Sequence, residues 1–593
     1  MTESNGGDPR AVMADLFERQ VRADPDAVAI RHDGKDLSRG ELDAWSDAIA
    51  AELQEVGVCD GDLVGLSVER GPVAVASILG LIKTGAGYLA LEAEVPVRRQ
   101  RALFEAAAPV AMLVQDHLDR LTTVSVPTIW ADPVRGAARC VPEPPAFGDG
   151  SRVFQVATTS GTTGAPKAVR IGYGAVLNRL WWMWHDYPFP ANAAVLVHKS
   201  YGLVAAPWEM LGGLLQGVRS VSLRQDELLD PTLLVSAVLG EQVTHLYLTP
   251  QLIEGLIREL ERRDADAPSI RFVTSGADAL PVGLVHQFRR RLPHAVLLNL
   301  YGATETSSNT AAFDTALLPD GATTVPVGRP VAGAQISVRD RNLRLVPPGV
   351  KGEVCAAGPP LALGYVGDAQ DEEVRFARMP DGSVLHRTGD LGCWNSDRQL
   401  EILGRLDNQV KVRGYRVVLE GVESALTEVR DVTSAGVHAM TRDGETSLIA
   451  CVTGTSALDT ATLRTQLRDR LPEHMIPSRF HLVGALPTTP TGKIDRGRLA
   501  ELAVSVSTET QTSELAPQGP TETALAAAWT ELLGQGPVTA EEDFFDAGGH
   551  SMLAVRLTVR LEQLTGVSLP LREVLEDPTF GGVAAALARR ASE

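Results

Sequence analysis

Apolar positions in the first 320 residues follow two alternating periods. VAIRH and KDLS flank the pair Asp33-Gly34, which predicts a two-strand hairpin, and Ser38-x-x-Glu41 then opens a helix with Leu42, Trp45, Ile49 and Leu53 on one face. Further on, HLYLT at 245 to 249 predicts a buried strand, residues 251 to 263 a helix, and IRFVTSG at 270 to 276 another strand. Such alternation predicts α/β layers. Residues 325 to 405 change texture to short β-like pieces with Gly and Pro turns, as in VPPGVKGEVCAAG, and predict a small β-rich unit on that core.

A second, smaller α/β pattern runs to residue 503, and the Ser-, Thr- and Pro-rich VSVSTETQTSELAPQGP that follows reads as a linker. Beyond it the pattern is helical: Leu525, Trp529 and Leu532 share a face, as do Leu553, Leu557, Leu561 and Leu564, and Gly534 and Gly566 mark helix ends. The expected organisation is α/β multidomain: a large unit over 1–406, a small α/β subdomain over 407–503, a linker over 504–518 and an all-α bundle over 519–593.

Composition narrows the functional classes. A net charge of -19 with no Lys/Arg-rich run argues against nucleic acid. Cys59, Cys140, Cys355, Cys393 and Cys451 are scattered and never form CxxC, so neither a disulfide framework nor a zinc site is indicated and a reducing cytoplasm is expected. The N-terminus lacks a signal-peptide pattern, and the apolar stretch from Val73 to Leu91 is broken by Lys83 and glycines, so neither export nor a membrane span is expected.

Chemistry enters with TTSGTTGAPK, Thr158 to Lys167. Its glycines let backbone N–H groups approach an anion, its hydroxyls add donors, and Lys167 adds positive charge, an inventory suited to a polyphosphate. The string lacks P-loop spacing but closely resembles the phosphate loop of the adenylate-forming enzymes, the superfamily of acyl-CoA synthetases, luciferases and nonribosomal peptide synthetase adenylation domains. Four further segments resemble that family in order: NLYGATETS, HRTGDL, GRLDNQVKVRGYR and PTTPTGKIDRGRL. The resemblance implies ATP held by Thr159, Ser160, Gly161, Thr162, Thr163, Gly164, Lys167, Gly276 and Asn299, with Tyr301 on adenine and Asp390 and Arg405 on the ribose. It implies Thr304 at the α-phosphate, Glu305 on Mg²⁺, a domain hinge at Asp407, and Lys493 as the adenylation lysine bridging carboxylate and α-phosphate.

DFFDAGGHSMLAVRL, Asp543 to Leu557, resembles the signature of peptidyl carrier proteins, whose serine, here Ser551, carries 4'-phosphopantetheine. An N-cap would be the ordinary reading of a serine at the head of such a helix. The resemblance implies an adenylation domain fused to its carrier, which activates a small carboxylic or amino acid and loads it as a thioester. The alternatives are an acyl-CoA ligase that uses free coenzyme A and an inactive scaffold that displays a carrier. No HHxxxDG condensation string and no GxSxG elbow occurs, so the acyl group is expected to pass in trans to a condensing or tailoring enzyme after a phosphopantetheinyl transferase has modified Ser551. An MbtH-like activator is a further partner by family habit that no residue tests.

Four departures from the family pattern stand out. Ala168 follows the loop lysine in place of Gly, Ala303 replaces a common Pro, and VVLEGVE inverts the usual Gly-Glu order. The largest departure is HKSYGLVAAPWEMLGG, His198 to Gly213, where domains for α-amino acids usually read FDxSxWE. Residues 198 to 208 hold no acid, and a buried ammonium without a counter-charge costs several kcal/mol, so the expected substrate lacks a conventionally placed α-ammonium. The resemblance puts Val204, Ala205, Trp208, Tyr247, Val273, Ser275, Leu300, Ser308 and Asn309 in the acyl pocket.

Overall fold

The computed structural model describes residues 8–93, 95–115, 126–131, 152–159, 167–224, 227–228, 230–367, 372, 374–412, 415–442, 445–455, 458, 460–488, 494–509, 516–533, 536–537, 539–545, 547–549 and 551–592. It divides into a first unit that runs to Gln409 and a second that begins at Val410.

In the first unit the predicted hairpin forms from Val28–His32 and Lys35–Ser38, with Asp33 at φ 50° and Gly34 at φ 71° making the turn. The helix Arg39–Glu55 opens on the expected capping box: Glu41 N donates to Ser38 Oγ at 3.1 Å and Ser38 N to Glu41 Oε2 at 2.8 Å. Leu42, Ile49 and Leu53 are buried on its core face, while Trp45 is half-buried and donates Nε1 to Ala131 O at 3.0 Å.

A nine-stranded sheet has the order Arg329–Pro330, Ala311–Asp314, Val296–Tyr301, Phe272–Ser275, His245–Leu248, Ala194–Val197, Arg219–Ser222, Val28–His32, Lys35–Ser38. The strands from Val296–Tyr301 to Val28–His32 pair in parallel, and the two ends are antiparallel. One face of its central strands packs Tyr247, Phe272, Leu298 and Leu300. The other packs Leu246, Leu248, Val273 and Leu297 against the helices Pro250–Arg262 and Val282–Arg291. Two-residue alternation separates the two sets, and the open end at the carboxyl termini of parallel strands is where such sheets place ligands. A six-stranded sheet carries Val153–Thr159 and Lys167–Gly172 at one edge, and residues 335–405 form a five-stranded antiparallel sheet, the β-rich unit expected.

The second unit contains a three-stranded sheet, Val432–Arg442, Glu445–Gly454 and Arg479–Leu482, with the helix Leu419–Thr427 against it, and the helices Gly519–Leu533, Ser551–Thr565, Leu571–Glu576 and Phe580–Ser592. Leu525, Trp529, Leu557 and Leu561 are buried as predicted. Leu533 rather than Leu532 completes the first face, and Leu564 is 43% exposed, because each stripe drifts around its helix by the end of the segment. The helix Arg496–Glu509 continues into the stretch expected to be linker. Leu499 and Ala503 anchor it in the core, and extending an existing helix through Ser and Thr costs only tenths of a kcal/mol, roughly, per residue.

Candidate active site

The phosphate-loop motif joins two antiparallel neighbours. Thr158 pairs with Ala168 and Thr159 with Lys167, so both ends of the loop are fixed by sheet hydrogen bonds. Ser160, Gly161, Thr162, Thr163 and Gly164 lie outside the described residues. The Lys167 ammonium sits 5.8 Å from the ring centroid of Tyr365, whose hydroxyl donates to Glu305 Oε1 at 2.9 Å. Glu305 is 2% exposed, and its backbone carbonyl accepts from Ala362 N at 2.9 Å. Tyr365 therefore neighbours both a cation and a buried carboxylate.

Among the described residues no group of three or more His, Cys, Asp or Glu converges to form a metal cage. One carboxylate beside a phosphate-binding segment is the donor set that fits magnesium shared with substrate phosphates.

Glu305 is positioned by a tightly folded segment. The strand Val296–Tyr301 ends at Gly302, where an added Cβ would lie 1.7 Å from Ser308 O, so no side chain fits. The 3₁₀ turn Thr304–Thr306 follows, then Ser307 at φ 50° and Ser308 at φ 91°. Consecutive non-glycine residues at positive φ store strain of the kind found at ligand sites. Asn299, on the preceding strand, donates Nδ2 to Pro326 O at 2.8 Å.

Asp390 and Arg405 are directly opposed on neighbouring strands, and Arg405 Nη1 donates to Asp390 Oδ1 at 2.5 Å. Tyr301 donates its hydroxyl to Asp390 Oδ2 at 2.6 Å. Burial and that carboxylate push the phenol well above its ordinary pKa, so it remains a donor. Arg405 also grips Asp407 through Nε at 2.7 Å and Nη2 at 2.9 Å, and Arg375 Nη2 reaches Asp407 Oδ2 at 2.9 Å. Burial opposes ionisation of Asp407, but the hydrogen bonds from Arg405 and Arg375 outweigh it and hold the carboxyl down to about 2.

The stretch from His198 to Gly213 runs from the carboxyl end of Ala194–Val197 into the π-helical turn Trp208–Gly212. Tyr201 anchors it, donating to Val68 O at 3.0 Å, while Tyr201 O accepts from Tyr88 Oη at 3.0 Å. Glu209 is 1% exposed; its Oε2 accepts from His198 N at 3.0 Å and Lys199 N at 2.9 Å, and its Oε1 lies 3.5 Å from Lys199 Nζ. Glu209 thus gives Oε2 to its own segment, while its buried Oε1 makes no hydrogen bond among the described residues. Burial drives His198 down to about 4, so it is neutral at physiological pH. Lys199 Nζ donates to Tyr247 O at 3.2 Å and stands 4.3 Å from the Tyr247 ring centroid.

Trp208, Tyr247 and Leu300 belong to the large apolar core of the first unit, against which Val204 and Ala205 pack half-buried. Trp208 stacks on Phe189 at 5.7 Å. Gly276 approaches the same group closely, since a Cβ there would lie 2.5 Å from Tyr247 Oη. Ser308 Oγ donates to Asn309 Oδ1 at 2.9 Å, and Asn309 Oδ1 also accepts from Arg179 Nε at 2.7 Å. Val273 lies elsewhere: it packs on the opposite face of the sheet, and alternation puts Ser275 on that face too. Lys493 lies outside the described residues. Ser551 is the first residue of the helix Ser551–Thr565, preceded by Gly549, where an added Cβ would meet the buried Phe544 ring at 2.4 Å. Sequence reading missed Tyr365, Arg375 and Arg179. The first two lie in the β-rich stretch outside every motif, and Arg179 sits within an apolar helix.

The chain matches the AMP-binding enzyme family over residues 17–366, the AMP-binding enzyme C-terminal domain over 421–493 and the phosphopantetheine attachment site over 523–587. It is 33% identical to one of the plipastatin synthase proteins of Bacillus subtilis across 96% of its own length and 22% of the relative's. It is likewise 33% identical to the phosphinothricin tripeptide synthetase PhsB of Streptomyces viridochromogenes, across 98% of its length and 50% of the relative's. The chain thus spans half or less of these curated relatives. Among solved structures, holo-PA1221, described as an NRPS protein containing adenylation and PCP domains bound to a vinylsulfonamide inhibitor, superposes with a TM-score of 0.82 at 25% identity, covering 98% of this chain and 96% of that one. The amide bond synthetase McbA from Marinactinospora thermotolerans gives 0.71 at 26% identity, covering 82% and 99%. No described helix is long and apolar enough to cross a membrane.

Proposed function

The chain belongs to the AMP-binding enzyme family and has the organisation of a nonribosomal peptide synthetase adenylation domain fused to a carrier; from that premise we propose that it activates a carboxylic acid with ATP as an acyl adenylate and loads it as a thioester on its own carrier. The observation that carries this reading is the Lys167–Tyr365–Glu305 arrangement at the end of the phosphate-loop hairpin, beside the Tyr301–Asp390–Arg405 cluster. A cation and a buried carboxylate beside one ring suit a magnesium polyphosphate, and a buried tyrosine against a carboxylate suits a nucleoside.

In this reading Lys167 and the loop residues bind the β- and γ-phosphates, Thr304 meets the α-phosphate, and Tyr301 packs on adenine near Gly276 and Asn299. Asp390, oriented by Arg405, accepts the ribose hydroxyls. Glu305 would hold Mg²⁺, which when bound neutralises charge on the phosphates. Lys493 bridges the reacting carboxylate and the α-phosphate, and Asp407 serves as the pivot about which the small subdomain turns between half-reactions. The substrate carboxylate attacks the α-phosphorus, and the bond to the β-phosphate breaks to release pyrophosphate. Ser551 carries the phosphopantetheine arm, installed by a phosphopantetheinyl transferase, and a separate condensing or tailoring enzyme receives the acyl group.

The acid activated lacks a conventionally placed α-ammonium. Residues 198–208 supply no carboxylate, and Glu209 commits Oε2 to two backbone N–H groups with Lys199 Nζ 3.5 Å from its Oε1. The decisive experiment uses the holo-protein and its Ser551→Ala variant with a panel of acids. Acid-dependent ATP–pyrophosphate exchange in both, with covalent acyl loading only in the parent, is expected; exchange without loading in the parent, with acyl-CoA formed from free coenzyme A, would overturn the carrier-loading reading.

A further inference from the structure

We propose that the acyl pocket selects an acid bearing a second anionic group, a dicarboxylic acid, whose distal carboxylate is bound by Arg179; this rests on the reading of the chain as an acid-activating enzyme. Arg179 comes from the helix Tyr173–Asp186, on its buried face, and is 5% exposed. Three expected pocket residues surround it. Its Nε donates to Asn309 Oδ1 at 2.7 Å, and its guanidinium carbon lies 5.9 Å from the Trp208 ring centroid and 5.8 Å from that of Tyr247. Its buried Nη2 has no hydrogen-bond partner among the described residues.

The carboxylates near this wall leave Arg179 Nη2 unmet. Glu209 Oε2 accepts from His198 N and Lys199 N and its Oε1 lies 3.5 Å from Lys199 Nζ, while Glu92 accepts from the Ser200 hydroxyl and lies 4.0 Å from Arg70. His198 adds no charge at neutral pH. Aromatic faces attract a guanidinium, yet they accept nothing along its in-plane N–H directions. A buried guanidinium left with an unmade hydrogen bond is costly, and the partner that best fits its fork is a carboxylate.

The position of Arg179 separates it from the nucleotide. Asn309, Trp208 and Tyr247 are acyl-side residues, whereas the cluster ascribed to ATP is Lys167, Glu305, Tyr301 and Asp390. The Arg179 guanidinium repels an ammonium placed beside it, so the group that rewards a second carboxylate disfavours a cation at the same point.

The test is ATP–pyrophosphate exchange by the full chain with chain-matched probes: succinate, glutarate and adipate, their monoamides, butyrate to hexanoate, 2-oxoglutarate and L-glutamate. The parent is expected to prefer a diacid over its monoamide by roughly ten- to a hundredfold in kcat/KM, the effect of one charge-assisted hydrogen bond. Arg179→Met should bring that ratio close to one while exchange with the monoamides persists, and Arg179→Lys should keep part of the preference. Preference of the parent for a neutral acid overturns the proposal, and that ranking stands even if Arg179→Met does not fold. An equal loss for monoacids and diacids in Arg179→Met also overturns it, since Arg179 would then meet the reacting carboxylate. A preference for L-glutamate over 2-oxoglutarate upholds the distal-carboxylate site and overturns the absence of an α-ammonium. Exchange with no acid at all overturns the adenylation reading and this proposal with it.

Discussion

Tyr301 donates its hydroxyl to Asp390 Oδ2 at 2.6 Å, so the residue expected on adenine and the residue expected on ribose are held as one unit. Tyr301→Phe keeps the ring but removes a hydrogen bond to a charged group. The KM for ATP in the exchange assay should rise on the order of tenfold, with a smaller change in kcat. An unchanged KM would separate the two residues functionally.

Gly302 tolerates no side chain because Ser308 O occupies the space 1.7 Å from an added Cβ. Gly302→Ala should displace the segment through Asn309, lowering the melting temperature by roughly 5 °C or more and acid-dependent exchange at least tenfold, roughly. Calorimetry and exchange on the same preparation check it.

The carboxyl of Asp407 is held down to about 2, with burial opposing and Arg405 and Arg375 favouring the charged form. A depressed folded pKa adds stability above the ordinary carboxylate value, and that stability disappears as pH falls through the folded one. Asp407→Asn should therefore cost on the order of 2 kcal/mol at pH 7, with the deficit narrowing below about pH 4. Urea denaturation of both proteins from pH 7 to 3 reads the difference directly.

His198 and His245 are both driven down to about 4 by burial. Unfolded, each takes a proton near pH 6.5, roughly, so the unfolded state binds more protons between that pH and about 4 and stability falls on acidification. Each contributes a slope of up to about 1.4 kcal/mol per pH unit. His245→Gln should flatten the stability profile between about pH 6.5 and 5 in denaturant titrations; an unchanged slope would place that ring in water.

The sequence disclosed some parts of this molecule through local chemistry and withheld others that depend on packing. The Ser38–Glu41 box, the Asp33-Gly34 turn and the strand at 272–275 rest on neighbours in the chain and were legible there. The ordered motifs likewise placed Tyr301, Asp390 and Arg405, whose mutual contacts the structure then supplied, and Glu305, which it ties to Tyr365. Arg179 was not legible: inside VLNRLWWMWH it resembles a solvated charge on an amphipathic helix, and only the docking of that helix beside Trp208 and Tyr247 buries it. Val273 shows the opposite limit. Motif alignment assigned it to the pocket, but two-residue alternation turns it toward the helices on the far face.

Trp208, Tyr247, Leu300 and Asn309 lie on one continuous stretch of chain, whereas Arg179 precedes it on the helix Tyr173–Asp186. A graft of residues 198–309 into a related enzyme would carry the proposed acyl-side residues but leave the proposed carboxylate-binding cation to whatever the recipient holds at that earlier helix. Transplanted selectivity would then track a residue outside the transplanted piece, and a donor segment should begin no later than Tyr173.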